Sequence, residues 1–332
     1  MKAAVLTEDK PALEVTEIDD PVPAPGEVVL EVTACGICGS DLHIASQLAD
    51  SGAVLGHEIA GTVAEIGSGV EGWSVGDAVV GRPFFGCGTC RFCRGGRADH
   101  CASFELVGMA RPGGFAERTT LRADELFALP ASITGTEQAL VEPLAIARRA
   151  LRRVALSAGE DVTILGGGPI GIAALVWARA LGAGHVVVSE PDAARRQIAL
   201  DLGADAAVDP ADIGAYGAER AVPPTVVLEC TGRPGLIDVG MQLTDVDGRI
   251  GVIGICISPD SFFPYFGIAK ELDIRFSIFY GANDFTDTID AMAAGTIDAS
   301  RLVTETIDLP GLPTRFGELV TAPDGGKVVL VP

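Results

Sequence analysis

Basic side chains are scarce in this chain. Against 45 Asp and Glu there are 24 Lys and Arg, giving a formal net charge of -21. A surface this acidic repels nucleic-acid phosphates and anionic lipid, so neither is an expected partner. The charge otherwise serves solubility and does not imply a cationic substrate. Long apolar runs are also missing. The longest candidate, 170–181, is too short to span a bilayer and is broken by Gly171, Trp177 and Arg179. The start, Met1 to Leu6, lacks the basic opening and small-residue cleavage site of a secretory leader. The expected location is therefore cytoplasmic, where clustered Cys point to metal rather than to disulfides. Aromatic residues make up 5% of the chain, whereas Gly is plentiful at 42 residues. That balance suits strands joined by tight turns. A chain of 332 residues is too long for one ordinary core, so two domains are expected.

The first part reads as β-rich. Pro21, Pro23 and Pro25 precede Gly26, after which residues 27–32 alternate as a strand does. Residues 58–80 continue as short strands punctuated by Gly61, Gly67, Gly69, Gly72 and Gly76. The character changes near Ala145. A helical pattern over 145–155 leads into alternating strands and helices: strands over 161–165, 186–188, 206–208, 225–228 and 249–253, with helices over 170–181 and 193–202. That alternation predicts a parallel sheet with helices on both faces. The pattern is complete by Tyr280. A helix over 285–294 and a strand over 327–331 follow, and this tail is expected to return to the first domain.

Gly166-Gly167-Gly168-Pro169-Ile170-Gly171 fits G-x-G-x-x-G. The match alone is weak, but it directly follows an apolar strand and opens a helix, as a dinucleotide fingerprint requires. Gly166 permits the tight turn, Gly168 lets a pyrophosphate approach the backbone, and Gly171 lets helix pack on strand. The helix N-terminus, beginning at Pro169 and Ile170, then faces the phosphates. Glu190 ends the next strand, where a carboxylate can hold both ribose hydroxyls and repel a 2′-phosphate. This favours NAD over NADP; Arg195 and Arg196, just beyond, pull the other way. Thr231-Gly232 and Ile253-Gly254 end successive strands, where a doubly wound sheet holds its ligand.

Cys87-x2-Cys90-x2-Cys93-x7-Cys101 is the sharpest spacing in the chain. Four thiolates so close can complete a tetrahedral shell around Zn2+ and leave no position for water, which describes a structural site. The alternative, an iron–sulfur cluster, fits less well: the spacing departs from the ferredoxin runs and no Pro follows Cys101. His100 adjoins the set, but the shell is already full, so it reads as a surface residue. A second, scattered group comprises Cys38, His57, Glu58 and Glu142. Cys, His and Glu all ligate zinc, and three such ligands with one open position describe a catalytic site. Residues this dispersed fit buried packing equally well. Asp41 reads as a helix cap, with orientation of its neighbours as the other reading.

Gly56-His57-Glu58-x2-Gly61-x5-Gly67-x2-Val70 resembles the signature of the zinc-containing medium-chain dehydrogenase/reductase superfamily. Residues 36–43, Gly-Ile-Cys-Gly-Ser-Asp-Leu-His, resemble its first-ligand segment. The four-Cys lobe and the Gly166 fingerprint fall in the family's order, so the likeness covers nearly the whole chain. Val141-Glu142-Pro143-Leu144 resembles the polyol (sorbitol-like), threonine and butanediol branch. The resemblance implies an α/β fold: a GroES-like β-rich catalytic domain over 1–145, carrying the structural zinc lobe at 85–103, then a Rossmann NAD-binding domain with a doubly wound parallel sheet over 146–282, and a return to the catalytic domain over 283–332. It implies two zinc ions per chain, the catalytic one held by Cys38 and His57, with Glu58 and Glu142 as direct or water-linked ligands. It further implies that Ser40 takes the alcohol proton and His43 passes it on.

The activity so implied is hydride transfer between NAD(H) and a secondary alcohol, diol or polyol and its ketone, in a homodimer or homotetramer. Threonine-type or primary alcohol oxidation is the alternative, and NADP-linked carbonyl or enone reduction is a further one. The zinc-independent reductases of the superfamily lack the Cys38, His57 and Glu142 set. A non-enzymatic binding protein would have no use for Ser40 and His43. Cys35, Cys230 and Cys256 are expected to be buried, inert thiols. Phe84, Phe104 and Phe115 read either as an apolar pocket or as ordinary core.

Overall fold

The computed structural model describes residues 1–322 and 326–332. Its chain divides into two compact units. One comprises Met1–Glu142, Gly281–Ala294 and Asp298–Pro332; the other comprises Pro143–Tyr280 and Gly295–Ile297.

The first unit is β-rich because β-branched residues alternate with Gly- and Pro-marked turns. Strands β1 (Lys2–Leu6) and β2 (Leu13–Glu17) pair antiparallel. The organising strand is β3 (Glu27–Gly36), ten residues long. After helix α1 (Gly39–Gln47) the chain returns as β4 (Glu58–Ile66), antiparallel to β3 along its length. That pairing sets Gly36 opposite Glu58. It thereby brings the segment after β3 beside the segment before β4, which lie some twenty residues apart in sequence. β5 (Ala78–Gly81) follows, and then β6 (Phe84–Phe85), the single-turn helix α2 (Arg91–Arg94) and β7 (Glu105–Leu106) frame the Cys-rich lobe. β8 (Arg118–Arg122) pairs with β3, and β9 (Leu126–Ala128) with β5. The core beneath includes Leu30, Ile59, Phe115, Leu121 and Phe316, all fully buried.

Helix α3 (Val141–Arg153) starts four residues earlier than the sequence pattern predicts. Pro143 falls in its first turn, where a missing N–H removes no helical hydrogen bond. The second unit alternates β10 (Val162–Leu165), α4 (Pro169–Ala180), β11 (Val186–Ser189), α5 (Ala193–Asp201), β12 (Ala206–Val208), α6 (Ile213–Arg220), β13 (Val226–Glu229), α7 (Leu236–Leu243), β14 (Arg249–Val252), α8 (Pro264–Lys270) and β15 (Asp273–Phe276). All six strands are parallel, in the order β12-β11-β10-β13-β14-β15. Strands β10, β11 and β13 are buried at every residue, as unbroken apolar runs flanked on both faces must be. From β10 the chain steps outward to β12, then returns to build the other half from β13. The switch point therefore lies at the carboxyl ends of β10 and β13, where such sheets bind ligands. Helices α6, α7 and α8 have seven or eight residues each, too few for their apolar spacing to separate them from loop in the sequence.

Helix α9 (Ala282–Ala293) then rejoins the first unit, where Phe285 packs 4.8 Å from Phe127. β16 (Val303–Ile307), α10 (Leu312–Thr321) and β17 (Lys327–Leu330) follow. β17 pairs parallel with β16 and antiparallel with the end of β3, which extends the first sheet to the order β16-β17-β3-β4-β5-β9. Among the described residues no helix is long and apolar enough to cross a membrane.

Candidate active site

The pairing of Gly36 with Glu58 sets the geometry of the first site. Cys38 lies just beyond β3, at the N-cap of α1, and His57 and Glu58 enter β4. Their ligand atoms, one S, one N and one O, all lie within 4.8 Å of one another. His57 and Glu58 are buried and Cys38 is partly so. The imidazole is held from behind. Asp41, fully buried on the first turn of α1, accepts the Cys38 N–H through Oδ2 (2.9 Å), and its Oδ1 lies 3.0 Å from His57 Nδ1. Both readings of Asp41 therefore hold: it caps the helix and it orients the ring. Burial opposes charge on the imidazole, but the Asp41 charge and hydrogen bond prevail and hold its pKa well above the ordinary range. With Nδ1 engaged, Nε2 is directed at the cluster, 3.3 Å from Ser40 Oγ. His43 lies one turn further along α1 and is exposed; no hydrogen bond joins it to the cluster among the described residues.

Sequence reasoning missed Lys327. This lysine opens the buried strand β17, and its ammonium donates to Ile37 O (3.0 Å) and to the Glu58 carboxylate. Burial pushes its pKa down, but Glu58, Cys38 and Glu142 together raise it above the usual value. Glu142 is thus buried within electrostatic reach of the cluster, although its carboxylate is not part of the 4.8 Å set. The only sequence signal was a Lys heading an apolar strand, which ordinarily marks a strand end at the surface. A side chain at Gly36 would stand 1.8 Å from Glu58 Oε2 and 2.9 Å from Lys327 Cε, so only glycine leaves this carboxylate its place.

The sulfurs of Cys87, Cys90, Cys93 and Cys101 also converge within 4.8 Å. Backbone amides point at them: Cys90 N to Cys87 Sγ and Cys87 N to Cys101 Sγ at 3.3 Å, Cys93 N to Cys90 Sγ at 3.4 Å, and Ser103 N to Cys101 Sγ at 3.3 Å. The Thr89 hydroxyl and amide, with Cys90 N–H, lower the Cys87 pKa to about 6. Burial and the neighbouring thiols push Cys93 up to about 12, whereas donors favour thiolate at Cys87 and Cys90; four free, converging sulfurs of this kind fit a bound divalent cation. His100 is exposed and pairs with Asp99. A cavity of about 630 Å³ opens beside this lobe against Glu27, Phe85, Cys87, Arg111 and Arg122; Ser40, Cys38, His57 and Glu58 do not line it.

In the second unit Gly166 takes φ +105°, a conformation that glycine adopts without strain. A side chain at Gly171 would stand 1.9 Å from Gly166 O, so α4 packs on β10 only without one. At Gly168, the N-cap of α4, a side chain would meet nothing within 4 Å; the space before the helix N-terminus is open, as a bound pyrophosphate requires. Pro169 and Ile170 begin the helix. Glu190 is buried, and its carboxylate accepts Gly167 N–H (2.7 Å) and Asp192 N–H (3.0 Å). Arg195 Nη1 stands 3.9 Å from it, whereas Arg196 is committed to Glu190 O, Pro191 O and Asp209. Thr231 packs against the fingerprint turn, its Cγ2 2.5 Å from where a Gly166 Cβ would stand; Ile253 donates its N–H to Glu229 O.

Of the three remaining thiols, Cys35 is buried against Gly56 and Gly114, whereas Cys230, just after β13, is only half-buried; desolvation raises the pKa of both. Cys256 corrects the expectation of burial. It is exposed in the loop after β14, where its thiol donates to Ser258 O (3.3 Å). Phe84 and Phe115 are core residues, the latter edge-on to Phe316, and Phe104 stacks on Phe84.

Comparison with known proteins identifies the family. The profile of the alcohol dehydrogenase GroES-like domain matches residues 24–131, and that of the zinc-binding dehydrogenases matches residues 169–294. The chain belongs to the zinc-containing medium-chain dehydrogenase/reductase superfamily. It falls in the polyol and threonine branch. The 2-dehydro-3-deoxy-L-galactonate 5-dehydrogenase of Pseudoalteromonas atlantica is 37% identical over 93% of this chain and 92% of its own. The sorbitol dehydrogenase of Bacillus subtilis is 31% identical (93% and 90%), and the L-threonine 3-dehydrogenase of Idiomarina loihiensis 34% (99% and 99%). Among solved structures, a zinc-binding-dehydrogenase homologue from Sinorhizobium meliloti 1021 bound to NADP superposes with a TM-score of 0.90 at 29% identity, over 100% of this chain and 99% of that one. The alcohol dehydrogenase RspB of E. coli CFT073, complexed with NADH, gives 0.93 at 27% identity with the same coverage. This dehydrogenase is accordingly an oxidoreductase acting on alcohols.

The Asp41 clamp yields a test. In Asp41→Asn, His57 loses the partner that fixes its tautomer, and zinc affinity of the purified protein is expected to fall by about 10- to 100-fold in a competitive chelator titration. An unchanged affinity would show that the ring needs no orienting carboxylate.

Proposed function

We propose that this dehydrogenase uses zinc and NAD to interconvert a secondary alcohol, diol or polyol and its ketone. The observation that carries the reading is the convergence of Cys38, His57 and Glu58, with Asp41 fixing the ring and Lys327 the carboxylate. Cys38 and His57 would hold the catalytic zinc, with Glu58 and Glu142 as exchanging direct or water-linked ligands. Cys87, Cys90, Cys93 and Cys101 would hold a second, structural zinc. A zinc ion held by Cys38 and His57 would supply Lewis acidity toward the substrate hydroxyl. The nicotinamide would supply the hydride acceptor. The chain's own groups move the proton. Ser40 Oγ receives it from the alcohol, and His43, one turn along α1 and open to water, releases it. A hydroxyl relay does this without placing a second charged base in the cluster.

NAD is the proposed cofactor, held by the turn at Gly166, Gly168 and Gly171, the helix start at Pro169 and Ile170, Glu190, and the strand ends at Thr231 and Ile253. The Glu190 charge disfavours a 2′-phosphate, and Arg196 is already committed to three acceptors. Arg195 remains the residue that can favour NADP, the cofactor bound in the Sinorhizobium structure. The chain is proposed to act in the cytoplasm as a homodimer or homotetramer. Strand β15 is a sheet edge; Phe276 on it, Phe263, Tyr265 and Ile268 at the preceding helix α8, and Ile257 in the loop before that helix stand exposed. An apolar edge of that kind is stable in water when a second copy covers it.

Four outcomes are expected. An NAD-coupled screen over secondary alcohols, diols, polyols and threonine should find a substrate for a protein carrying two zinc ions per chain. Cys38→Ala should abolish that turnover with the fold intact, whereas Cys90→Ala should lower the melting temperature; a single zinc confined to the Cys lobe would remove the catalytic metal. Glu190→Ser should raise the NADP-to-NAD ratio of kcat/KM by about tenfold, the equivalent of about 1.4 kcal/mol, and an unchanged ratio would count against the carboxylate as the selector. Light scattering should give a dimer or tetramer mass; a monomer at micromolar concentration would refute the assembly.

A further inference from the structure

One buried carboxylate of the second unit has no part in the chemistry above. Glu229 ends β13, opposite Leu165 of β10, and so sits at the switch point itself. It is 2% exposed and forms no ion pair among the described residues. A carboxylate taken out of water without a cation must recover its lost hydrogen bonds from protein donors. Here a single oxygen, Oε1, collects three: Thr231 N–H at 2.7 Å, the Thr231 hydroxyl at 2.6 Å and Gly232 N–H at 2.9 Å.

What these bonds hold extends beyond one loop. Thr231 is pinned with its methyl against the fingerprint turn, Cγ2 lying 2.5 Å from where a Gly166 Cβ would stand. Its hydroxyl also accepts Arg233 N–H (3.0 Å). Gly232, at φ +70°, lies against the loop after β14: a Cβ on Gly254 would stand 2.0 Å from Gly232 N and 2.6 Å from Glu229 Oε2. The main chain repeats the tie, since Ile253 N–H and Gly254 N–H both donate to Glu229 O, at 2.8 and 3.0 Å. One residue thus joins the loops that follow β13 and β14 and, through Thr231, the fingerprint turn that follows β10 and leads into α4.

We infer that Glu229 is a positioning residue for the dinucleotide: through Thr231 and Gly232 it sets the spacing of the three strand-end loops around the crevice. The inference rests on the reading of this crevice as the cofactor site. Its test compares Glu229→Gln, Thr231→Val and the control Thr244→Val. The control removes a hydroxyl that bonds to Gly240 O in the same unit but belongs to none of the three loops; Thr244 is fully buried, whereas Thr231 is exposed. The amide of Glu229→Gln preserves shape but offers a neutral, weaker acceptor. NADH affinity is read by fluorescence titration of each folded protein, and thermal stability is read without cofactor.

Glu229→Gln should raise the NADH dissociation constant by about tenfold and the KM for NAD in step, with kcat changed less. Thr231→Val keeps the methyl beside Gly166 and should raise the constant about threefold, an effect that disappears when Gln already stands at 229. Should Glu229→Gln fail to fold, Glu229→Asp, which keeps the charge but shortens its reach to Thr231 and Gly232, takes its place and should raise the constant likewise. Thr244→Val should lower the melting temperature and leave NADH binding within twofold of wild type. Wild-type affinity in both Glu229→Gln and Thr231→Val would overturn the inference, as would equal weakening in Thr244→Val at the same loss of stability. A wild-type protein that binds neither NADH nor NADPH would instead remove the cofactor reading, and this inference with it.

Discussion

A buried ammonium holds the β-rich unit's site together. Lys327 carries its charge into a place water does not reach, where it bonds to Ile37 O and to the Glu58 carboxylate. Taking either charge inside alone would be costly, and removing one partner would leave the other unpaired in the core. The pair therefore ties the last strand of the chain to the two segments that flank α1. Those segments carry Cys38 on one side and His57 and Glu58 on the other. Gly36 completes the constraint, because any side chain there would occupy the position of the carboxylate.

Three buried carboxylates serve a common purpose. Asp41 takes the Cys38 amide and fixes His57; Glu190 takes the Gly167 and Asp192 amides; Glu229 gathers Thr231 and Gly232. Each holds a loop at the end of a strand or the start of a helix, where backbone N–H groups would otherwise lack partners. Glu190 and Asp41 thereby carry two duties. Each shapes the backbone locally and presents a charge or a fixed ring to whatever binds. A substitution at either position acts on both, so changes in binding there include a contribution from the loop.

Much of this was legible in the sequence wherever the message was local. The fingerprint from Gly166 to Gly171 states its own turn, close approach and helix start within six residues, and the strand-turn-helix setting is visible on either side. The Cys87 to Cys101 spacing likewise describes its own shell. Cys38, His57, Glu58 and Glu142 were different: their types suit zinc, but their spacing specified no geometry, and resemblance to a family supplied the grouping. Asp41 was readable as a cap but not as the partner of His57, because a cap needs three residues of context and the ring lies sixteen residues away. Cys256 was misread because a free thiol is usually buried, and exposure depends on what packs over a loop.

Composition and local pattern by themselves determined an acidic, two-part α/β chain, a Gly-rich turn before a helix, and a Cys-rich lobe suited to metal. Each of these follows from contiguous residues whose backbone geometry is written in their own identities. Tertiary structure decided the rest. Lys327 reaches Glu58 across 269 residues, and Glu229 matters because β10, β13 and β14 lie side by side. Such contacts depend on strand order and on registers such as Gly36 opposite Glu58, which only paired strands can set.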